Sequence, residues 1–368
     1  LYRVVRHSNE INAMIQRRSS MKRSNEINTM IQRKIPMKRN IALFFIVIAS
    51  SFVAVQPAFA DKHTLQDVSP KIEKLSQGLV GRVGVAAQEI GSGASITVNG
   101  DEAFAMASTY KVAIAVTLLD RVDKGQIKLS DLIDLPQEEM VVGTNAIAES
   151  YVHPGVQFSV ANLIEVMITE SDNTATDFCL KLAGGPEAVT KKLRSLGITE
   201  QRVDRSTSEI LRDFYGLPDK AYLSVVTKAI ANDPTLLVKM TQPNMAFEKD
   251  PRDHSTPKAM LQLLLAIDSG KGLSAKSREF LLATMSRTRT GPGRLKGLLP
   301  KGTPVAHKTG TIGGVANDVG FITLPDGRRF AIVVFTNSST TSTADQDRAI
   351  AEISRSLYDF YYLSAQDK

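Results

Sequence analysis

Cysteine is nearly absent. Among 368 residues only Cys179 carries a thiol, so no intrachain disulfide braces the fold. It lies in the apolar helical stretch 175–182, where a thiol reads as a small core side chain rather than a nucleophile. The five histidines (His7, His63, His153, His254 and His307) show no ligand spacing, so neither a metal nor another cofactor is expected. A run long enough to span a membrane is also missing, since the apolar stretch Ile41–Val55 is short for a span. The body of the chain lacks a basic excess as well. The formal charge is +7, but residues 1–60 hold ten of the 45 basic and two of the 38 acidic side chains. Residues 61–368 keep 35 basic and 36 acidic groups, a net of −1, and no polyanion such as nucleic acid is implied as a partner.

The basic leader contains a tandem repeat, Ser8–Arg23 and Ser24–Arg39, too short for a solenoid. Residues 1–36 read as upstream sequence outside the mature protein. From Met37, a charged start, the apolar run and Ala58-Phe59-Ala60 form a signal peptide over residues 37–60. Cleavage near Ala60 would give a secreted or periplasmic chain with no stable membrane anchor.

The remaining length predicts about two domains. A helix is expected over Leu65–Leu79, with strands over Gly81–Glu89 and Ala94–Val98. Mostly helical sequence continues to about residue 254. Three late strands follow over Lys308–Thr311, Asp318–Leu324 and Arg329–Thr336, and the amphipathic helix Ala344–Tyr361 closes the chain. This order predicts an α/β (α+β) fold: an antiparallel sheet flanked by helices, formed by both ends of the mature chain (61–107 and 255–368), with an inserted all-helical domain (108–254).

Three short motifs carry chemistry. Ser108-Thr109-Tyr110-Lys111 opens an apolar run that continues without Pro or Gly to Gly125. The i, i+3 spacing puts Ser108 and Lys111 on one helix face, and burial makes such a lysine a base able to activate the hydroxyl. Ser171-Asp172-Asn173 follows the apolar run 163–168 and sits where a bend between helices is expected. There Ser171 can relay a proton and Asn173 can donate to an amide. Lys308-Thr309-Gly310-Thr311 opens a late strand, with Gly310 clearing room for a ligand and the Thr311 N–H available to join that of Ser108 as an oxyanion hole.

In this order the three motifs are the set associated with class A β-lactamases and penicillin-binding proteins. From about residue 66 onward the chain resembles a class A serine β-lactamase, also at Gly184-Gly185-Pro186, Val203-Asp204-Arg205, Arg252-Asp253 and Asn317-Asp318. The resemblance implies an enzyme whose partner is a small β-lactam substrate, and a monomer is the default expectation. Ser108 would attack its carbonyl, Lys111 would accept the proton, and Ser171 would protonate the ring nitrogen. Lys308, Thr309 and Thr311, supported by Arg294, would bind the substrate carboxylate, and Asn173 its side-chain amide.

The chain departs from the family in the Ω-shaped loop, residues 204–254, which is lengthened. A glutamate there is expected to activate the deacylating water. Thr207 and Ser208 stand at that point, and Glu209 follows one residue late. Glu209 is the expected base, with Asp213 or Glu248 as alternatives. Within the excess, 219–231 reads as a helix. With no base in position, the same site would be a penicillin-binding protein or a slow DD-peptidase.

Overall fold

The computed structural model describes residues 65–143 and 146–364. The basic repeat and signal peptide expected over residues 1–60 lie outside the described residues. No helix among the described residues is long and apolar enough to cross a membrane.

Helix α1 (Leu65–Gln77) leads into strands β1 (Arg82–Ile90) and β2 (Ser95–Val98), and the short β3 (Phe104–Ala105) follows. After a 3-10 turn at Ala107–Tyr110 come α2 (Lys111–Asp123), β4 (Leu132–Asp134), α3 (Ala146–Ser150), β5 (Gln157–Ser159), α4 (Val160–Thr169), α5 (Asn173–Ala183) and α6 (Pro186–Ser195). The long loop contains α7 (Thr207–Tyr215), α8 (Leu223–Asn232), α9 (Leu236–Lys239) and α10 (Met245–Glu248). The chain then forms β6 (His254–Ser255), α11 (Pro257–Ser269), α12 (Ala275–Ser286), β7 (Val305–Ile312), β8 (Val315–Thr323), β9 (Arg329–Asn337) and α13 (Thr343–Leu363).

The fold is α+β. Its main sheet is antiparallel, in the order β2-β1-β9-β8-β7, so early and late strands meet where Ala86 pairs with Val333. Both sheet faces are buried, and the two-residue period sorts the side chains between them. Phe330, Ile332 and Val334 join Ile72 of α1 and Ile350, Ile353 and Leu357 of α13 in one core. The alternate residues Ala331, Val333 and Phe335 join Met260 and Leu264 of α11 in the other. That second core continues through α2, where Val112, Ile114, Val116, Leu118 and Leu119 are all buried. Over its first nine residues α2 has no solvent face, which makes it a rigid mount for the residues at its start. Cys179 is buried in the same core.

The long loop has its own small core: Leu211, Leu217, Ala221, Val226 and Leu236 close on Val141 and Val142. Here one boundary differs from the periodicity. The expected helix 219–231 begins only at Leu223, because Tyr222 bridges to Val141 and the Leu223 N–H donates to Met140.

Candidate active site

Ser108 lies in a 3-10 turn, Ala107–Tyr110, directly before α2, and Lys111 is the first residue of α2 itself. Ala107 holds φ at 44° and Ser171 at 60°, a left-handed conformation that costs a residue with a Cβ about 1 kcal/mol or more. Strain therefore sits beside Ser108 and at Ser171. Ser171 occupies the bend between α4 and α5, where Asp172 fixes the turn by accepting the N–H groups of Ala175 (2.7 Å) and Ile147 (2.9 Å).

Three segments distant in sequence meet on one hydroxyl. Lys111 Nζ donates to the Ser171 carbonyl (2.6 Å), to Ser171 Oγ (3.3 Å) and to Asn173 Oδ1 (2.9 Å). Lys308 Nζ donates to Ser171 Oγ at 2.9 Å and to the Thr309 carbonyl at 2.7 Å. Both amines are fully buried. Desolvation lowers Lys111 to about 7, although Asp172 and Asp177 act the other way. Lys308 falls well below its ordinary value, through burial first and then repulsion from Lys111.

Gly310 brings β7 against the Ser108 turn. A Cβ there would lie 2.7 Å from the Met106 carbonyl oxygen and 3.0 Å from the Ser108 nitrogen, so only glycine fits without displacing Ser108. The Thr309 hydroxyl pairs with that of Thr290. Arg294 lies beneath the strand, with Nη1 donating to the carbonyls of Gly310 and Asn317, Nη2 to Thr311 Oγ1 (2.8 Å), and Nε to Asp347. Its cationic head thus backs the Thr311 end of β7 instead of facing solvent.

A cavity of about 530 Å³ is lined by Ser108, Tyr110, Ser171, Asn173, Thr207 and Thr309, among others. Arg289, Thr290 and Thr311 also line it, and Ile210, Leu211, Tyr215 and Ile312 give it apolar surface. Among the described residues that line it there is no carboxylate.

The structure does not bring Glu209 to this cavity. Ser206 caps α7, and the Glu209 carboxylate folds back onto the Ser206 N–H (2.9 Å), completing a capping box. Lys220 pairs with its other oxygen at 3.2 Å. Burial acts to raise this carboxyl, but the Ser206 and Lys220 contacts carry it below its ordinary value. The other loop acids are also engaged elsewhere. Asp213 pairs with Arg205 and Arg212, and Glu248 accepts the backbone N–H and hydroxyl of Ser338. The base of the loop is closed by Arg205 and Asp253, a pair 2.6 Å apart with both side chains buried.

Sequence reasoning passed over Tyr110, which is hidden in the apolar run, and Asp177, which lies one turn beyond Asn173 on α5. The i+4 spacing from Asn173 was the available signal for Asp177. Thr207, noted only for standing near the expected glutamate, is one of the loop residues that line the cavity, and its hydroxyl pairs with that of Tyr110.

Comparison with known proteins adds a family. Residues 67–361 match the model of the beta-lactamase enzyme family. The chain is 29% identical to beta-lactamase VEB-1 of Pseudomonas aeruginosa over 329 residues, covering 87% of this chain and 95% of that one. It is also 29% identical to the extended-spectrum beta-lactamase PER-1 of the same organism, over 87% and 96% of the two chains. A solved structure of an ancestral (GNCA) class A beta-lactamase superposes with a TM-score of 0.66 at 32% identity, covering 79% of this chain and 99% of that one.

Proposed function

The chain belongs to the beta-lactamase enzyme family, and from that premise we propose that it hydrolyses the β-lactam amide through an acyl-enzyme on Ser108. Lys111, largely neutral above about pH 7, takes the proton of Ser108 as the hydroxyl attacks the carbonyl. Ser171, bonded to both amines, passes a proton to the departing ring nitrogen. The N–H groups of Ser108 and Thr311 hold the developing oxyanion. Lys308, Thr309 and Thr311, with Arg294 behind them, receive the substrate carboxylate, and Asn173 receives the side-chain amide.

One observation carries this reading: two desolvated amines from separate segments share the Ser171 hydroxyl in the cavity that Ser108 lines. Mixing the protein with excess chromogenic cephalosporin is the test. Continuous turnover and a transient adduct on Ser108, both lost in Ser108→Ala, are expected. Turnover that survives Ser108→Ala would sink the assignment.

The absence of a carboxylate among the described lining residues favours a second reading, in which acylation outruns deacylation as in a penicillin-binding protein. A single burst equal to the protein, followed by silence, distinguishes that outcome.

The working organisation is an α/β body of residues 61–107 and 255–368 around a helical insert of 108–254. Met37 as the start and export with cleavage after Ala60 complete the proposal. N-terminal sequencing of exported protein tests the cleavage site.

A further inference from the structure

Arg289 is the one charged side chain among the described residues that line the cavity, and the proposed reaction leaves it without a task. It follows α12 in a short segment that touches both β7 and the end of α4. Thr288 Oγ1 donates to the His307 carbonyl (2.6 Å) and the Thr290 hydroxyl pairs with that of Thr309, so both flanking side chains face β7. Arg289 between them turns the other way. Its N–H donates to the Thr169 carbonyl (3.0 Å), and its guanidinium pairs with Glu170 at 2.7 Å. Those two partners are the residues immediately before Ser171.

The ion pair is lopsided. The Arg289 side chain is 77% exposed against 27% for Glu170, and only the cation lines the cavity. An entering molecule therefore meets the positive member first. The other cations nearby are committed. Lys111 and Lys308 are fully buried and bonded to Ser171. Arg294 spends its donors on Asp347, Thr311 Oγ1 and two strand carbonyls. Arg289 holds Glu170 through Nη1, and a guanidinium has further N–H donors with which to take a second anion.

We propose that Arg289 determines specificity: it favours β-lactams with a second negative charge on the fused ring and disfavours those with a positive charge there. The inference rests on the acyl-enzyme reading above. In that reading Ser171 serves the ring nitrogen and Asn173 the side-chain amide. The fused ring, which shares that nitrogen, then lies on the Ser171 side, where Arg289 is anchored. Lys308, Thr309 and Thr311 take the ring carboxylate, and Arg289 meets a charge borne further out on the same ring. Because the guanidinium is exposed, solvent keeps its effect modest.

The probes are three cephalosporins with one acyl side chain and an anionic, a neutral or a pyridinium substituent on the six-membered ring. The readout is the second-order rate constant for acylation of the full protein, taken by stopped flow, so slow deacylation does not mask it. Wild type should prefer the anionic to the cationic probe, each referred to the neutral one. Arg289→Gln should cut that preference roughly tenfold, and Arg289→Lys should restore most of it. Glu170→Gln, which removes the opposing charge, should increase it. Salt at about 0.5 M should shrink the wild-type preference. A merely structural role for Arg289 would slow all three probes alike. That result, or a preference that changes less than about twofold in Arg289→Gln, overturns the proposal. Failure of the neutral probe to form an adduct on Ser108 of the wild type would instead remove the acyl-enzyme reading itself, whereas an adduct formed without charge preference removes only the role of Arg289.

Discussion

Strand β7 and the loop spanning residues 204–253 line the same cavity but reach it by different means. The strand is registered residue by residue against β8, with Lys308 opposite Val319 and Gly310 opposite Asn317. Alternation therefore decides which side chains point where. The loop has no such ladder over most of its length. It is clamped at its base by Arg205 and Asp253 and filled by its own apolar cluster, while a local cap decides where Glu209 points. A motif read along a strand thus transfers directly into space. A motif read along a loop is at the mercy of which neighbour captures each polar group.

The largest effect should come from opening the clamp. Arg205→Ala leaves Asp253 buried without its partner and should cost about 3–5 kcal/mol, read as a lower denaturation midpoint and faster protease cleavage within the loop. A loss below about 1 kcal/mol would mean the loop does not depend on this pair. On the strand side, Gly310→Ala forces a methyl into the Ser108 turn and should slow acylation roughly 10²-fold, measured before steady state; an unchanged rate would show that the turn yields freely.

Acidity probes the ground between the two walls. Lys111 must be neutral to accept a proton, and burial brings it to about 7. Acylation should therefore be level above that pH and fall about tenfold for each unit below it. A profile breaking near 10 would contradict a desolvated amine.

The smallest effect is expected at Glu209. Exchange to Gln keeps an acceptor in the capping box, so stability should drop by about 1 kcal/mol or less, with turnover unchanged and no adduct in the mass spectrum. An accumulated adduct would return the water-activating role to this residue.

These contrasts also mark what the sequence could say. The five strands of the main sheet were legible to within a few residues, because two buried faces demand short unbroken apolar runs such as Phe330 to Phe335. Ser108, Lys111, Ser171 and Lys308 were legible because each sits in a short motif with fixed spacing. Arg294 was placed by resemblance alone; its route beneath β7 depends on Asp347, more than fifty residues away. The contacts of Thr207 with Tyr110 and Asp177 were not legible, since they join three segments with no shared spacing. The start of α8 was missed for a similar reason: pairing with residues 140 and 141 outweighed local helical preference.

The seal where the loop meets the end of β7 has a consequence of its own. Gly313 and Gly314 abut Gln242 and Pro243 so closely that any Cβ would collide with them. The hairpin tip is thereby packed directly against the loop, with no side chain between the two backbones. A side chain at either position would have to push the loop away from Ile312, so the apolar wall of the cavity depends on both glycines.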